Sequence, residues 1–363
     1  GTNGKGSVCC FMKDVLKEHG CRVGFFTSPH LVEHYDRIRI NDSWIPQDTY
    51  EKYLNAYLSD IMEEKLGMFE ITVLIALEWF SHEKVDYVIW ECGLGGRLDS
   101  TNVIETPIVD VITTIGSDHS SILGERKEQI AFEKAGIMRK GVSLCVGNVD
   151  RKAETVIRLQ AYRRKVPVTF TGNIRSLSET CFAYDGDVYE LSGMAQYQKE
   201  NAVLAMEALK KLDIDIHDEK THRAIVQSRW PGRFEQIHRS PDVYLDGAHN
   251  REGIQALLKN YDGLKRTVVT VFSALKDKPG KEMAEMLREK SDTLIITSID
   301  SERFESMDSL AVGGCLEIRD EEEAVYRAME LAGKNGSVVI CGSLYFISAM
   351  RRKLLSGGCH ENN

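Results

Sequence analysis

Short apolar runs recur along this chain at 23–26, 85–90, 109–115 and 142–146, and again at 243–245, 267–272, 293–297 and 338–341. Between those of the first half lie stretches with helical spacing, at 8–18, 69–80, 125–138 and 150–164, and a further one follows at 199–212. A run that is apolar on both faces suits a strand buried on both sides. Such strands alternating with helices build a parallel, doubly wound sheet. The sequence therefore predicts an α/β protein. The second rhythm begins after Trp230-Pro231-Gly232, and Pro beside Gly is hinge chemistry. Two domains are expected, 1–232 and 233–363. Asp185-Gly186, inside the alternating segment 181–191, predicts a small β-hairpin region in the first domain. Asp150 is placed to cap the helix 150–164, Gly141 to follow the helix 125–138, and the polar tail 356–363 to fray.

The composition allows two cores: of 363 residues, 42% are hydrophobic and 28% charged, which excludes disorder as the main state. A formal net charge of −9 argues against a general nucleic-acid binder. It leaves room for a local anion site built from backbone N–H groups. No apolar run approaches the roughly 18 residues of a membrane helix, so no membrane partner is expected. Nine cysteines without a C-x-x-C pair read as free thiols of a reducing compartment, with the cytoplasm as the expected location.

Five segments carry chemistry. Gly1 to Ser7 read G-T-N-G-K-G-S and open a helix. Glycines let backbone N–H groups approach phosphate oxygens, Lys5 would neutralise β/γ phosphates, and the Ser7 hydroxyl would ligate Mg²⁺. The bland alternative is a glycine-rich turn. Such a loop normally follows a buried strand, and none stands before Gly1, so the sequence reads as lacking the segment upstream of its loop. Glu91 ends the run 85–90, where open sheets present ligand-binding groups, although strand-end acids are often merely solvated. His119 follows the next run and could ligate a metal through a neutral ring nitrogen, or simply sit hydrogen-bonded in a loop. The glycine-rich stretch 93–102 suits a loop closing over substrate, or a plain connection. Asp246-Gly247-Ala248-His249-Asn250 ends a strand of the second domain. There Asp246 and His249 could face a ligand, or Asp246 or Asn250 could cap a helix.

These segments, read together, resemble folylpolyglutamate synthase, often bifunctional with dihydrofolate synthase, of the Mur ligase superfamily. The resemblance rests on G-T-N-G-K-G-S at 1–7, T-S-P-H-L at 27–31, D-R-I-R-I at 36–40 and E-C-G-L-G-G-R-L-D-S-T-N at 91–102. It continues with S-D-H at 117–119, E-K-A-G-I at 133–137, W-P-G-R-F-E at 230–235, D-G-A-H-N at 246–250 and C-G-S-L-Y at 341–345. It implies a P-loop ATPase domain with a parallel sheet, followed by a Rossmann-like α/β domain that carries the glutamate ligase function. It implies ATP contacts from Gly1, Thr2, Asn3, Gly4, Lys5, Gly6, Ser7, Asn201, Arg233 and Asp246. Two Mg²⁺ sites are implied, drawing on Ser7, Glu91, His119 and a carbamylated Lys134. Taken alone, Lys134 reads as an exposed helix lysine. Ser28, Pro29, His30, Gly95, Gly96 and Asp99 would border the pterin-bearing substrate. Arg37, His249 and Ser343 would bind the incoming glutamate, with Lys5, Lys134 and His249 closest to the chemistry.

The implied activity is an ATP-dependent amide ligase, acting as a monomer. It would add L-glutamate to a folate, to dihydropteroate or to both, through an acyl phosphate. A Mur-type peptidoglycan ligase shares the ATP chemistry with a different acceptor. A non-catalytic nucleotide-binding module is the rival from another class, and a second domain bearing Asp246 and His249 argues against a P-loop GTPase or kinase.

Overall fold

The computed structural model describes residues 1–30, 33–172, 174–299 and 302–357. Leu31, the last residue of the T-S-P-H-L segment, and residues 358–363 of the expected frayed tail lie outside the described residues. The chain divides into two compact units. The first comprises Gly1–Gly116, Ser120–Leu191 and Gln198–Arg229, and the second Ser117–His119, Ser192–Tyr197 and Trp230–Asn363.

Among the described residues, three sheets make up the first unit. In one, β1 (Val23–Phe26), β2 (Ile38–Ile40), β3 (Ser43–Trp44) and β4 (Tyr87–Trp90) lie in the order β3-β2-β1-β4. The apolar runs give the parallel pair β1/β4, while β2 and β3 are antiparallel additions beside β1. A second sheet, β5 (Val109–Ile112), β6 (Ser143–Val146) and β7 (Val168–Phe170), is wholly parallel. The third is antiparallel, made of β8 (Arg175–Ser176), β9 (Cys181–Tyr184) and β10 (Asp187–Glu190). Asp185 and Gly186 turn β9 into β10 with φ of 50° and 95°, the left-handed pair that a tight hairpin requires. The helix Lys5–Glu18 repeats apolar residues at helical spacing. Val8, Phe11, Met12, Val15 and Leu16 are buried, and the helix packs against Gln198–Leu209 and Glu219–Gln227. Asp150 caps the helix Arg151–Arg164 by accepting the Ala153 N–H at 2.9 Å. The helix expected over 125–138 is shorter, Lys127–Lys134, and tightens into a 3-10 turn at Ala135–Ile137.

The second unit is one six-stranded sheet in the order β11-β12-β16-β13-β14-β15. Its strands are β11 (Arg233–His238), β12 (Asp242–Asp246), β13 (Val268–Phe272), β14 (Thr293–Ile296), β15 (Leu316–Glu317) and β16 (Ser337–Cys341). Only β11 pairs antiparallel. Every residue of β13 and β16 is buried, as expected of central strands covered on both faces. Separate apolar clusters fill the two faces, one around Leu257, Tyr261 and Leu287, the other around Val325, Ala328 and Phe346. Because β16 separates β12 from β13, the strand order reverses there. Sheets of this kind bind ligands beyond the strand ends at such a point, and Asp246 and Ser343 stand at those ends. Among the described residues no helix is long and apolar enough to cross a membrane.

Asp110 on β5 is only 8% exposed, and its Oδ2 has no hydrogen-bond partner among the described residues. Burial pushes its carboxyl up to about 6, against the charge and backbone N–H of Arg139. A folded-state value above the unfolded one means that the fold holds the proton. This contribution is therefore full below a pH of roughly 4 and is lost as pH rises through about 6. The chain is predicted to lose on the order of 2 kcal/mol at this site between about pH 4 and pH 7. Asp110→Asn is predicted to flatten that part of the profile. Urea unfolding across this range checks it, and identical pH slopes in both proteins contradict it.

Candidate active site

The opening loop is shaped by the exit of β5. Thr2 donates its N–H to Thr114 O at 2.8 Å, and its hydroxyl donates to Gly116 O at 3.1 Å while accepting the Gly116 N–H at 2.9 Å. Asn3 donates its N–H to Thr114 Oγ1 at 2.9 Å, and its carbonyl accepts the Thr113 hydroxyl at 2.6 Å. Gly4 turns into the helix at φ 88°, and a Cβ there would stand 2.4 Å from Asn201 Oδ1. Asn201 is buried and donates to Gln198 Oε1 at 2.8 Å. The loop thus presses directly on a residue that the sequence could associate with nucleotide only by resemblance. Lys5 curls back to donate to the carbonyls of Gly1 at 3.0 Å and Thr2 at 3.3 Å. The Ser7 hydroxyl is buried and has no hydrogen-bond partner among the described residues.

Glu91 stands beside this loop. The parallel pairing of β1 with β4 carries Phe26 level with Trp90, and beyond it the Ser28 N–H donates to Glu91 Oε2 at 3.0 Å. Glu91 is 5% exposed. Lys134, Lys5, Cys92 and Glu91 all lie within electrostatic range of the backbone at Gly1. Burial and then Glu91 push the neighbouring Cys9 thiol well up, with Lys5 opposing.

Lys134 corrects the reading made from the residue alone: it is 4% exposed, not a surface lysine. The glycine-rich stretch packs against the helix end that carries it. Gly96 lies so close that a Cβ would stand 3.0 Å from the carbonyls of Glu133 and Lys134. Arg97 donates its N–H to Glu133 O at 2.8 Å, and its guanidinium pairs with the Glu133 carboxylate. Asp99 knits the same stretch. Its carboxylate accepts the N–H groups of Gly93 at 3.3 Å, Leu94 at 2.5 Å and Thr101 at 3.0 Å, and the Thr101 hydroxyl as well.

A third group lies after β1. Arg37 donates to His30 Nδ1 at 3.1 Å and stands over the Phe69 ring at 5.8 Å. That ring closes on Gly93, where a Cβ would meet it at 2.6 Å. His34 lies 3.2 Å from Tyr50 Oη and 2.9 Å from Thr72 Oγ1. Burial, then Arg37 and His30, lower its pKa. Phe69, His34, Tyr50 and Thr72 were not singled out from the sequence. Only the spacing of His34 and Arg37, one turn apart, hints at them.

In the second unit, register places Arg233 of β11 opposite Asp246 of β12. Asp246 accepts the Tyr197 hydroxyl at 2.7 Å and the Ala248 N–H at 2.8 Å. Burial raises its carboxyl, opposed by the Tyr197 hydrogen bond and the Arg233 charge. Of the two expected helix caps, Asn250 takes the role, accepting the Gly253 N–H at 2.8 Å ahead of Arg251–Leu258. Asp246 instead holds the turn before it. Ser343 is 1% exposed and starts the helix Leu344–Gly357, its Oγ accepting the Tyr345 N–H at 3.2 Å. His249 and His119 both belong to this unit, whereas Glu91, Lys134 and Arg37 belong to the first.

The family model of the Mur ligase middle domain matches residues 1–234, and that of the Mur ligase glutamate ligase domain matches 232–344. A dihydrofolate synthase/folylpolyglutamate synthase of Bacillus subtilis is 35% identical over 98% of this chain and 89% of its own. This chain belongs to the dihydrofolate synthase/folylpolyglutamate synthase family of Mur ligases. The Haemophilus influenzae enzyme of the same name is 30% identical over 96% of this chain and 86% of its own. Among solved structures, Escherichia coli FolC in complex with DHPP and ADP aligns with a TM-score of 0.90 at 27% identity, covering 99% of this chain and 88% of that one. A bifunctional folylpolyglutamate synthase/dihydrofolate synthase with Mn, AMPPNP and L-glutamate bound aligns at 0.87 and 28% identity, covering 98% and 88%. Membership makes this chain an ATP-dependent ligase and sets aside the GTPase or kinase reading.

The residues present suit a hard divalent cation, which takes oxygen ligands. The buried Ser7 hydroxyl, without a partner among the described residues, and the buried Glu91 carboxylate would supply them in the first unit. The loop itself makes a sharp stability test. Gly4→Ala adds a Cβ against Asn201 and forces a left-handed φ on a non-glycine residue, and is predicted to cost about 2 kcal/mol or more. Adding Asn201→Ala is predicted to return part of that loss. Thermal unfolding of both single variants and the double variant checks it, and strictly additive losses contradict it.

Proposed function

We propose that this family member activates the carboxylate of dihydropteroate or a reduced folate with the γ-phosphoryl group of ATP. It then couples the acyl phosphate to the amine of L-glutamate and releases ADP and phosphate. The observation that carries this reading is the glycine-rich opening loop, with Lys5 and a Ser7 hydroxyl that has no partner among the described residues, set beside Glu91. Relatives with DHPP, ADP, AMPPNP, Mn and L-glutamate bound support it.

In this reading Gly1 to Ser7, with Asn201, Arg233 and Asp246, hold the nucleotide. Ser7, Glu91, His119 and a carbamylated Lys134 hold two Mg²⁺ ions. Bound there, the metal would offset phosphate charge and orient the γ-phosphoryl group. Burial of Lys134 sets it apart from a solvated surface lysine, in line with a modified role. Ser28, Pro29, His30, Gly95 and Gly96 border the acceptor, and Asp99 keeps that wall in shape. Arg37, His249 and Ser343 recognise the incoming glutamate, with charge-assisted hydrogen bonds from Arg37 to a carboxylate. Residues 1–232 form the ATP-binding domain and 233–363 the glutamate ligase domain. We read the protein as a monomer of the cytoplasm; its eight described cysteines are free thiols.

ADP release is the test, with Mg-ATP, L-glutamate and either dihydropteroate, tetrahydrofolate or no acceptor. Turnover that requires a folate acceptor is expected, and its acceptor range assigns one activity or two. A response to a UDP-sugar peptide in place of folates would overturn the reading. Ser7→Ala and Glu91→Gln are each predicted to lower kcat by about 10²-fold with the acceptor KM little changed. An unchanged kcat in either variant removes that residue from the proposed machinery.

A further inference from the structure

Lys278 belongs to no motif in the sequence, yet it is among the most enclosed lysines of the chain. Its side chain is 5% exposed, and Nζ stands 2.5 Å from Asp118 Oδ1. The Asp118 side chain is itself 8% exposed. The rest of its carboxylate is also occupied. Oδ1 accepts the N–H of His119 at 2.9 Å, and Oδ2 accepts Asn250 Nδ2 at 3.1 Å and lies 3.4 Å from His249 Nε2. Burial alone would raise the Asp118 carboxyl, but His249 and Lys278 outweigh it and hold the group well below the usual carboxylate range. One residue earlier, the Ser117 N–H donates to Glu252 Oε1 at 3.0 Å. All these partners belong to the second unit, as do Ser117–His119 themselves.

The segment they hold is strained. His119 has φ 51°, in the left-handed region that non-glycine residues avoid. Such a conformation persists only where the surroundings over-determine it. Here the over-determination is Asp118, fixed from one side by Lys278 and from the other by Asn250 and His249. His249 also directs Nδ1 to Gly247 O at 2.7 Å, so its ring orientation is set independently of Asp118.

We propose that Lys278 is a positioning residue for His119. By neutralising and fixing the buried Asp118 carboxylate, it holds the left-handed turn that aims the imidazole, and with it the affinity of this ligand for a divalent cation. The inference rests on the reading of His119 as a metal ligand. Groups that orient a metal ligand without touching the metal typically contribute about 10–100-fold to affinity.

The test titrates Mn²⁺ into the full chain with AMPPNP present, following free Mn²⁺ by its electron paramagnetic resonance signal. The variants are Lys278→Met, Lys278→Arg and His119→Ala. Thermal unfolding without metal runs alongside to identify any variant that fails to fold. His119→Ala and Lys278→Met are expected to weaken Mn²⁺ binding, the latter by about tenfold, and Lys278→Arg to restore most of it. If His119→Ala leaves Mn²⁺ binding unchanged, the metal-ligand reading fails, and the inference with it. If His119→Ala weakens binding but folded Lys278→Met does not, the inference alone is overturned. If Lys278→Met does not fold, Lys278→Arg decides. Arginine keeps the charge but not the point geometry, so folded Lys278→Arg with Mn²⁺ affinity no better than that of His119→Ala overturns it, and near-native affinity supports it.

Discussion

Seven residues of Gly, Thr, Asn, Gly, Lys, Gly and Ser have no apolar side chains with which to pack themselves. The opening loop takes its shape from hydrogen bonds to the end of β5, above all the paired contacts of Thr2 with Gly116 and of Asn3 with Thr113 and Thr114. Those bonds use the inward-facing groups of Thr2 and Asn3. The following helix is fixed by a separate constraint, the burial of Val8, Phe11, Val15 and Leu16. Strand end and helix together hold a loop that could not hold itself. Where the helix begins, the Ser7 hydroxyl is buried without a partner among the described residues. An unsatisfied polar atom in a close-packed region is costly, and a ligand that needs oxygen donors relieves that cost.

The same economy recurs around Lys134. A lysine at the end of a short helix would ordinarily extend into water. Here Gly96 and Gly136 remove the side chains that would keep the glycine-rich stretch away, and Arg97 and Asp99 then fasten it down. The stretch takes its form from its own carboxylate as well as from the helix end it packs against. In the second unit, Asp246 and Asp118 are each buried and each surrounded by donors, but with opposite electrostatic outcomes. Burial keeps the Asp246 carboxyl raised despite the Tyr197 hydroxyl and the Arg233 charge, while the contacts from His249 and Lys278 depress that of Asp118.

Much of this was legible in the residues. The apolar runs marked the parallel strands because burial on both faces demands continuous hydrophobicity, and β13 and β16 satisfy that in full. Asp185-Gly186 and Asp150 declared a hairpin and a cap through local chemistry alone. What escaped was structure with weaker or longer-range causes. β2 and β3 are short antiparallel strands whose alternation spans too few residues to stand out. The helices Gln47–Ala56 and Leu58–Glu64 bury little beyond Tyr50 and Ile61. Gly96 meets the helix end at Lys134 from about 40 positions away in sequence, and the Lys278–Asp118 pair spans 160 positions. No periodicity reports such contacts. The loop, Glu91 and Asp246 were visible because a strand end is a fixed address in this kind of sheet, whereas Phe69, Tyr197 and Lys278 act from outside those addresses.

In the proposed function, the strand-shaped opening loop cradles a triphosphate with a metal at its edge. A crystal structure of this chain grown with Mg²⁺ and AMPPNP tests it most directly. The account predicts phosphate oxygens within hydrogen-bonding distance of the loop N–H groups and of Lys5, and a cation ligated by the Ser7 hydroxyl, with Glu91 bound directly or through water. A nucleotide bound elsewhere, or one bound at the loop with Ser7 and Glu91 both turned away from the metal, would contradict it.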